Sequence, residues 1–129
     1  MLVKTFAAAV QGISATIITI EVNCSKGIQF FLVGLPDVAV RESHERIISA
    51  LQESGYKFPR SRIVINMAPA DIRKEGSAYD LPLAIGILAG AEMISSEKLS
   101  QYMLMGELSL DGTLKPIKGV LPIAIKARE

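Results

Sequence analysis

At 129 residues the chain has the length of one domain, and with half of its residues hydrophobic and 21% charged it can bury a sizeable core. Its formal net charge is +1, which excludes a strong overall attraction to nucleic acid or to an anionic membrane and leaves such binding to a local patch. One cysteine and one histidine exclude an internal disulfide and a zinc site.

No segment predicts export or a membrane span. The first ten residues carry one lysine but no small-residue cleavage site, so we expect no signal peptide. The longest apolar run, residues 81–91, is about half as long as a membrane helix, which needs roughly 20 residues. We therefore expect a cytoplasmic protein without membrane contact.

Three strands are predicted in the first quarter of the chain. Residues 16–22 alternate between more and less apolar side chains, the period of two that is typical of a strand with one buried face. The flanking runs 2–10 and 29–33 are separated from it by turn-prone residues. We expect these runs to pair as an antiparallel meander.

A helix is predicted after the third strand. Asp37 can accept hydrogen bonds from the free amides of a helix start, and apolar residues follow at helical spacing until Gly55, which favours a left-handed helix end. Residues of opposite charge stand four apart on the other flank: Arg41 with Glu45, and Glu42 with Arg46.

The second half alternates between strands and helices. Residues 62–67 predict a strand, 68–76 an ordered loop, and Asp80 can cap a helix that is apolar on almost every side, so that residues 83–88 should lie under the sheet. A strand and hairpin are expected over 102–114, and a last helix over 119–129 that the chain does not complete. We predict one α+β domain, residues 1–129, with a mixed sheet.

A search for chemistry yields little. No phosphate-binding glycine motif occurs, so we expect this segment neither to hydrolyse ATP nor to hold a cofactor or metal. Cys24 has no neighbouring base, and His44 lies at the edge of the apolar stripe of its helix. For both residues a structural role is favoured over a catalytic one.

The loop over residues 71–77 is the main candidate site, because it carries four charges between two buried elements where folding requires none. The alternative is a solvated connection whose charges pair with one another. A nucleophilic pair of Ser77 with Lys74 would need a neutral amine aimed at the hydroxyl. A basic set brackets the preceding strand and would form one anionic docking patch if the loops fold together: Lys57, Arg60, Arg62, Arg73 and Lys74.

Four segments form a recognisable series: GLPDVAVRES (34–43), FP (58–59), INMAPADIRKEG (65–76) and YDLPLA (79–84), followed by GEL (106–108). In this series the chain resembles, over essentially its whole length, the amino-terminal domain of the YifB/ComM family, bacterial proteins related to the ATPase subunit of magnesium chelatase. Residue 44 is histidine where the family pattern has arginine, so no role is carried over to that side chain.

The resemblance implies a fold like the second domain of ribosomal protein five of the small subunit, which the Lon peptidase domain shares. It also implies an AAA+ ATPase module beyond residue 129, which would hold ATP and magnesium, and a hexamer with neighbouring subunits. In the ComM branch this motor is a DNA helicase that promotes branch migration during natural transformation. Residues expected to contact the module, other subunits or DNA are Asp37, Arg41, Glu42, Arg60, Arg62, Asp71, Arg73, Lys74, Glu75, Ser77 and Asp80.

The likeness to Lon also implies where a Ser-Lys dyad would stand. KEGS (74–77) matches the segment before the Lon serine, so the serine position falls on Ala78 and the lysine position on Leu121. Neither side chain can exchange a proton, which predicts a non-catalytic domain. Two alternatives remain: a Ser-Lys hydrolase that uses Ser77, and a subunit for magnesium insertion into a porphyrin, which rests on kinship alone.

Overall fold

A four-stranded sheet forms the centre of the structure, a computed structural model that describes residues 1–129. Its strands are β1 (Leu2–Gln11), β2 (Ser14–Ser25), β3 (Phe30–Val33) and β4 (Arg62–Ala68), and they lie in the order β1-β2-β4-β3. β1 and β4 both run antiparallel to β2, whereas β3 runs parallel to β4. The sheet is therefore mixed, as predicted.

The predicted meander is wrong in one connection, because β3 does not pair with β2. β4 lies between them, and its alternating residues Ile63, Ile65 and Met67 are buried. The turn-prone residues before β3 are compatible with a hairpin, but β4, whose alternate residues are fully buried, gains hydrogen bonds on both edges by taking the central position.

The first helical region is broken into α1 (Val38–Arg41) and α2 (Ser43–Glu53). Asp37 caps α1 as predicted, since its Oδ1 accepts a hydrogen bond of 2.8 Å from the amide of Val40. Gly55 follows α2 with a φ of 91°, which confirms the predicted left-handed end.

α3 (Asp80–Gly90) lies under β1 and β2, which confirms the predicted buried helix. A glycine allows the close approach: a Cβ at Gly86 would lie 2.7 Å from Cγ2 of Val22. The hydroxyl of Thr5 on β1 donates to the carbonyl of Pro82 at 3.0 Å. Helix and sheet therefore meet with little space between their backbones.

The carboxyl-terminal hairpin is shorter than predicted. Only β5 (Glu107–Leu108) and β6 (Leu114–Lys115) pair, as a separate two-stranded sheet. Residues 102–106 instead lie along the outer edge of β1, where the amide of Leu104 donates to the carbonyl of Phe6 at 2.8 Å. This segment, which follows a short 3₁₀ helix (Leu99–Gln101), covers an edge that β2 leaves unpaired.

α4 (Val120–Arg128) packs on β1 and β2 with Ile123 as its buried residue. It lies over the β1 face that carries Phe6 and Val10, opposite the face that contacts α3. None of the helices has both the length and the apolar character needed to cross a bilayer.

Candidate interaction site

Two loops that are far apart in sequence interlock beside the end of β4. The amide of Asp37 donates to the carbonyl of Lys74 at 2.9 Å, and the amide of Lys74 donates to the carbonyl of Leu35 at 3.0 Å. The carboxylate of Asp37 adds a third connection, because its Oδ2 accepts from the amide of Gly76 at 3.1 Å. The loop over 69–77 is thus fixed to the segment that starts α1.

Lys74 lies inside this junction. Its side chain is 0% exposed, and its Nζ donates to the carbonyl of Gly34 at 2.7 Å and to the carbonyl of Pro69. Burial lowers the pKa of Lys74, while the nearby carboxylate of Asp71 opposes that shift. The prediction that folding requires no charge in this loop is therefore wrong for Lys74.

Asp80 has a different role from the predicted helix cap. Tyr79 occupies the cap position, and Asp80 is a buried first-turn residue that accepts from Nε of Arg46 at 2.7 Å and from its Nη2 at 2.9 Å. Oδ2 of Asp80 also accepts from the amide of Leu108 at 3.0 Å. The hydrogen bonds that Arg46 itself donates to Asp80 are the main reason that the pKa of Arg46 is raised. The pair joins α2, α3 and β5.

A cavity of about 320 Å³ opens at the start of α3. Ala78, the residue at the predicted serine position, lines it together with Ser77, Glu107 and Lys118. Leu121, at the predicted lysine position, is 71% exposed on α4 and does not line the cavity. The structure therefore does not bring the two dyad positions together at this cavity.

Three polar side chains in or near the cavity are bound to partners within the domain. The hydroxyl of Ser77 donates to Oε1 of Glu107, and the amine of Lys74 is held by carbonyls rather than by Ser77. Tyr79 donates to the carbonyl of Ala8 at 3.1 Å. Burial, and secondarily Asp37 and Glu75, raises the pKa of Tyr79 to about 12, so this phenol stays protonated at neutral pH.

The remaining charges of the loop are on the surface. Nε of Arg73 lies 3.2 Å from Oε1 of Glu75, and their side chains are 69% and 68% exposed. Asp71 is exposed as well. The prediction of mutually paired loop charges is thus confirmed for Arg73 and Glu75, and these two side chains remain accessible to a partner.

The predicted single basic patch does not form. Lys57, Arg60 and Arg62 are exposed before or at the start of β4, whereas Lys74 is buried beyond its other end and Arg73 pairs with Glu75. The loops at the two ends of the strand fold separately.

The helix charges are also only partly paired. Arg41 is exposed at the end of α1 and forms no ion pair with Glu45. The exposed Glu42 stands 4.0 Å from Nη1 of Arg46, whose Nε is held by Asp80. Of the two predicted helix pairs, therefore, only the second is present.

His44 and Cys24 have structural surroundings. The His44 ring stacks on Phe30 with ring centroids 3.8 Å apart, and burial lowers the pKa of the imidazole. Sγ of Cys24 lies 4.0 Å from the carbonyl of Ile87, and burial raises the pKa of the thiol. Both environments favour the neutral form, which agrees with the structural roles favoured from the sequence.

Sequence reasoning missed two residues of this region, Arg46 and Glu107. The sequence predicts Arg46 as a surface partner of Glu42. Its spacing from Asp80 gives no local signal, because the two residues meet only through the packing of α2 on α3. Glu107 could have been identified from the sequence, since it lies in the GEL segment (106–108) that follows the other recognisable motifs.

The motifs that interlock here match a known family. The family model for subunit ChlI of Mg-chelatase matches residues 20–129. The chain belongs to this family. The ChlI-family match thus includes both interlocking loops, the Arg46–Asp80 pair and most residues of the cavity.

Several bacterial proteins are similar to this chain over nearly its whole length. YifB of Escherichia coli K12, an uncharacterized protein, is 46% identical over 120 residues, which are 92% of this chain and 24% of YifB. Competence protein ComM of Haemophilus influenzae is 42% identical over 125 residues, which are 96% of this chain and 25% of ComM. An uncharacterized protein of Mycobacterium tuberculosis H37Rv is 38% identical over 126 residues, 97% of this chain and 25% of that protein. The chain therefore spans about a quarter of the length of these relatives, at their amino-terminal end.

Proposed function

We propose that this chain is a non-catalytic interaction domain of a magnesium-chelatase-like AAA+ ATPase, and that the complete protein is a DNA-processing motor of the ComM type. Membership of the ChlI family and the short share of the relatives that the chain covers support this proposal. ATP and magnesium would be bound by the part of the protein that corresponds to the rest of those relatives. The site of action would be cytoplasmic.

The observation that carries the proposal is the fixed presentation of Arg73 and Glu75. Their loop is held by the buried Lys74 amine and by the carboxylate of Asp37, so the loop needs little further ordering when a partner binds. The two exposed charges can exchange their mutual ion pair for pairs across an interface. We propose that they contact the ATPase module or a neighbouring subunit of a hexamer.

A Lon-like fold is part of the proposal. In that fold Ala78, which lines the cavity, would stand at the serine position, whereas Leu121 is exposed on α4 outside the cavity and completes no dyad there. The Ser-Lys alternative receives no support from the local geometry, because Ser77 donates to Glu107 and Lys74 donates to Gly34 and Pro69. Magnesium insertion into a porphyrin is supported by the family description and by no side chain of this chain.

The proposal is tested by mixing this chain with the part of E. coli YifB that lies outside the match and measuring binding by calorimetry. Saturable binding is expected, and a wild-type chain that does not bind would count against the proposal. A fluorophosphonate probe applied to the same chain should leave Ser77 unlabelled. Labelling that disappears in the variant Ser77→Ala would favour the hydrolase instead.

A further inference from the structure

A leucine between β3 and α1 is held in a strained conformation. Leu35 has a φ of 57°, and Glu92 is the only other residue besides glycines with a positive φ. Side chains with a Cβ rarely adopt this left-handed region, which glycine and asparagine tolerate best. The Leu35 side chain is also 52% exposed. Packing inside the domain therefore gains little from a leucine at this position.

The surrounding backbone fixes the turn over residues 34–37 on both sides of Leu35. A Cβ on Gly34 would lie 2.2 Å from a carbonyl oxygen of β4, so only glycine allows the chain to cross the end of that strand here. The Leu35 carbonyl accepts from the amide of Lys74 at 3.0 Å, and the Asp37 amide donates to the Lys74 carbonyl at 2.9 Å. Backbone strain that the surroundings hold in place is typical of functional sites. Because leucine has no reactive group, the strain indicates binding rather than catalysis.

Exposed apolar residues flank Leu35. Val33 at the end of β3 and Val38 at the start of α1 are both exposed. The exposed Arg73 adjoins them, since the amide that binds the Leu35 carbonyl belongs to the next residue after Arg73. The turn therefore presents a leucine among other apolar side chains, beside the ion pair of the candidate loop.

Carboxylates predominate around this turn. Three acidic residues that are exposed or half-buried stand against one exposed cation: Asp37, Asp71 and Glu75 against Arg73. The amine of Lys74 is buried against backbone carbonyls, and the charges of Arg41 and Glu42 at the end of α1 are of opposite sign. A surface with this charge repels nucleic acid and anionic membranes. A protein with an apolar pocket and a positive rim is the complementary partner.

The chain itself has a groove of this kind where β3 begins, which we call the Phe30 groove. Its volume is about 390 Å³, and its lining is mainly apolar and aromatic: Ile28, Phe30, His44, Ile48, Phe58 and Ile63. Arg60 lines the groove as well, and the exposed Lys57 precedes Phe58. These two cations take part in none of the ion pairs of the structure. Glu45, beside His44 on α2, is the opposing charge, so the rim keeps a positive surplus.

We propose that the turn over residues 33–38 of one copy binds in the Phe30 groove of a second copy, with the Leu35 side chain as the anchor. The turn follows β3 and the groove lies where β3 begins, so the contact joins two different surfaces head to tail. Contacts of this kind repeat from copy to copy and close into a ring when the rotation allows it. The inference rests on the proposed function, because it names a neighbouring copy as the partner of the loop that carries Arg73 and Glu75.

Sedimentation equilibrium over a range of chain concentrations tests this contact. The wild-type chain should self-associate, and Leu35→Asn should weaken the association about tenfold, as expected when one anchor is removed from an interface. The melting temperature of Leu35→Asn should not fall, because asparagine adopts the left-handed conformation more easily than leucine. A leucine with a purely structural role would give the opposite pair of results.

The variant Leu2→Asn is the matched control. Leu2 is 59% exposed, has no positive φ, and lies on β1 at the opposite edge of the sheet from β3. This variant should associate like wild type, while its melting temperature should fall, because asparagine is disfavoured in strands. Equal association of Leu35→Asn and Leu2→Asn, or an equal fall in their melting temperatures, would overturn the inference.

A mixing experiment tests the head-to-tail geometry. Ile28 is exposed at the groove, and Ile28→Glu should block the groove while it leaves the turn intact, which is the complement of Leu35→Asn. At a concentration where wild type is half associated, each variant alone should stay largely monomeric. An equimolar mixture should form dimers and nothing larger, because one intact turn meets one intact groove. Circular dichroism verifies that both variants are folded. A monomeric mixture, or a wild-type chain that is monomeric at every concentration, contradicts the proposed contact.

The outcomes also separate this inference from the proposed function. If the chain binds the remainder of YifB but does not self-associate, the contact between copies is wrong and the interaction domain stands. If self-association follows the predicted pattern but the remainder of YifB is not bound, the proposed contact with the motor is wrong instead.

Discussion

Lys74 is a buried cation whose hydrogen-bond partners are two backbone carbonyls, and it fixes the candidate loop. The variant Lys74→Met keeps most of the side-chain volume but leaves the carbonyls of Gly34 and Pro69 without their donor. We expect the free energy of unfolding in urea to fall by about 1–3 kcal/mol. Arg73→Met, which changes the neighbouring exposed cation, should change it by less than about 0.5 kcal/mol. Equal effects in the two variants would contradict the structural role of Lys74.

Because of Tyr79, we expect the free energy of unfolding to depend on pH in the alkaline range. Its pKa is raised from 10.0 to about 12 in the fold, so the unfolded chain loses this proton first and stability falls as pH rises through that window. Near pH 11 this effect lowers the free energy of unfolding by about 1.4 kcal/mol.

The variant Tyr79→Phe should lose less stability than wild type between about pH 9 and about pH 11, by that same amount of about 1.4 kcal/mol. Urea unfolding at the two pH values measures the difference. Tyr102→Phe changes an exposed tyrosine and should follow wild type. If the free energy of unfolding depends on pH in the same way in wild type and Tyr79→Phe, the phenol of Tyr79 is not buried with a raised pKa.

At the level of elements, the Arg46–Asp80 ion pair joins α2 to α3 in addition to their apolar packing. Asp80→Asn removes the carboxylate that receives two hydrogen bonds from Arg46. Because this breaks a buried ion pair, the free energy of unfolding should fall by about 3–5 kcal/mol. The exposed pair partner Glu42 provides a control, since Glu42→Gln should cost less than about 1 kcal/mol.

A double-mutant cycle distinguishes this pair from a local packing effect. If Arg46 and Asp80 interact directly, Arg46→Met combined with Asp80→Asn should destabilise the chain by less than the sum of the single changes. Strict additivity in urea unfolding would show that the two helices are joined in another way.

The elements themselves were largely predictable from the sequence, whereas their arrangement was not. The alternation over residues 16–22 predicted β2, and the uniformly apolar run predicted the burial of α3. The position of β4 between β2 and β3 depends on contacts between distant segments, for which turn propensity gives no information. The sequence predicts a strand that includes residues 102–106. Their pattern does not distinguish a paired strand from an extended segment along a sheet edge, which is what the structure has.

At the scale of the whole molecule, the recognisable segments are those that contact one another. Segments 34–43 and 65–76 meet through Asp37 and Lys74. Arg46 joins segments 34–43 and 79–84, because it donates to the carbonyl of Ala39 and to the carboxylate of Asp80. The sequence identified these segments through the family resemblance, but it could not tell buried charges from exposed ones, because a charged residue has the same local pattern in either position. The structure separates Lys74 and Asp80, which are buried and support the fold, from Arg73 and Glu75, which form an exposed ion pair.

We propose that the exposed Arg73–Glu75 pair is a contact site on a non-catalytic domain. The test measures the affinity of the chain for the part of YifB outside the match, and compares Arg73→Ala/Glu75→Ala with the control Glu97→Ala/Lys98→Ala, which also removes one exposed charge of each sign. The account predicts that the first variant binds about tenfold more weakly than wild type, a loss of about 1.4 kcal/mol, while the control binds like wild type. Equal affinities for the two variants would contradict it.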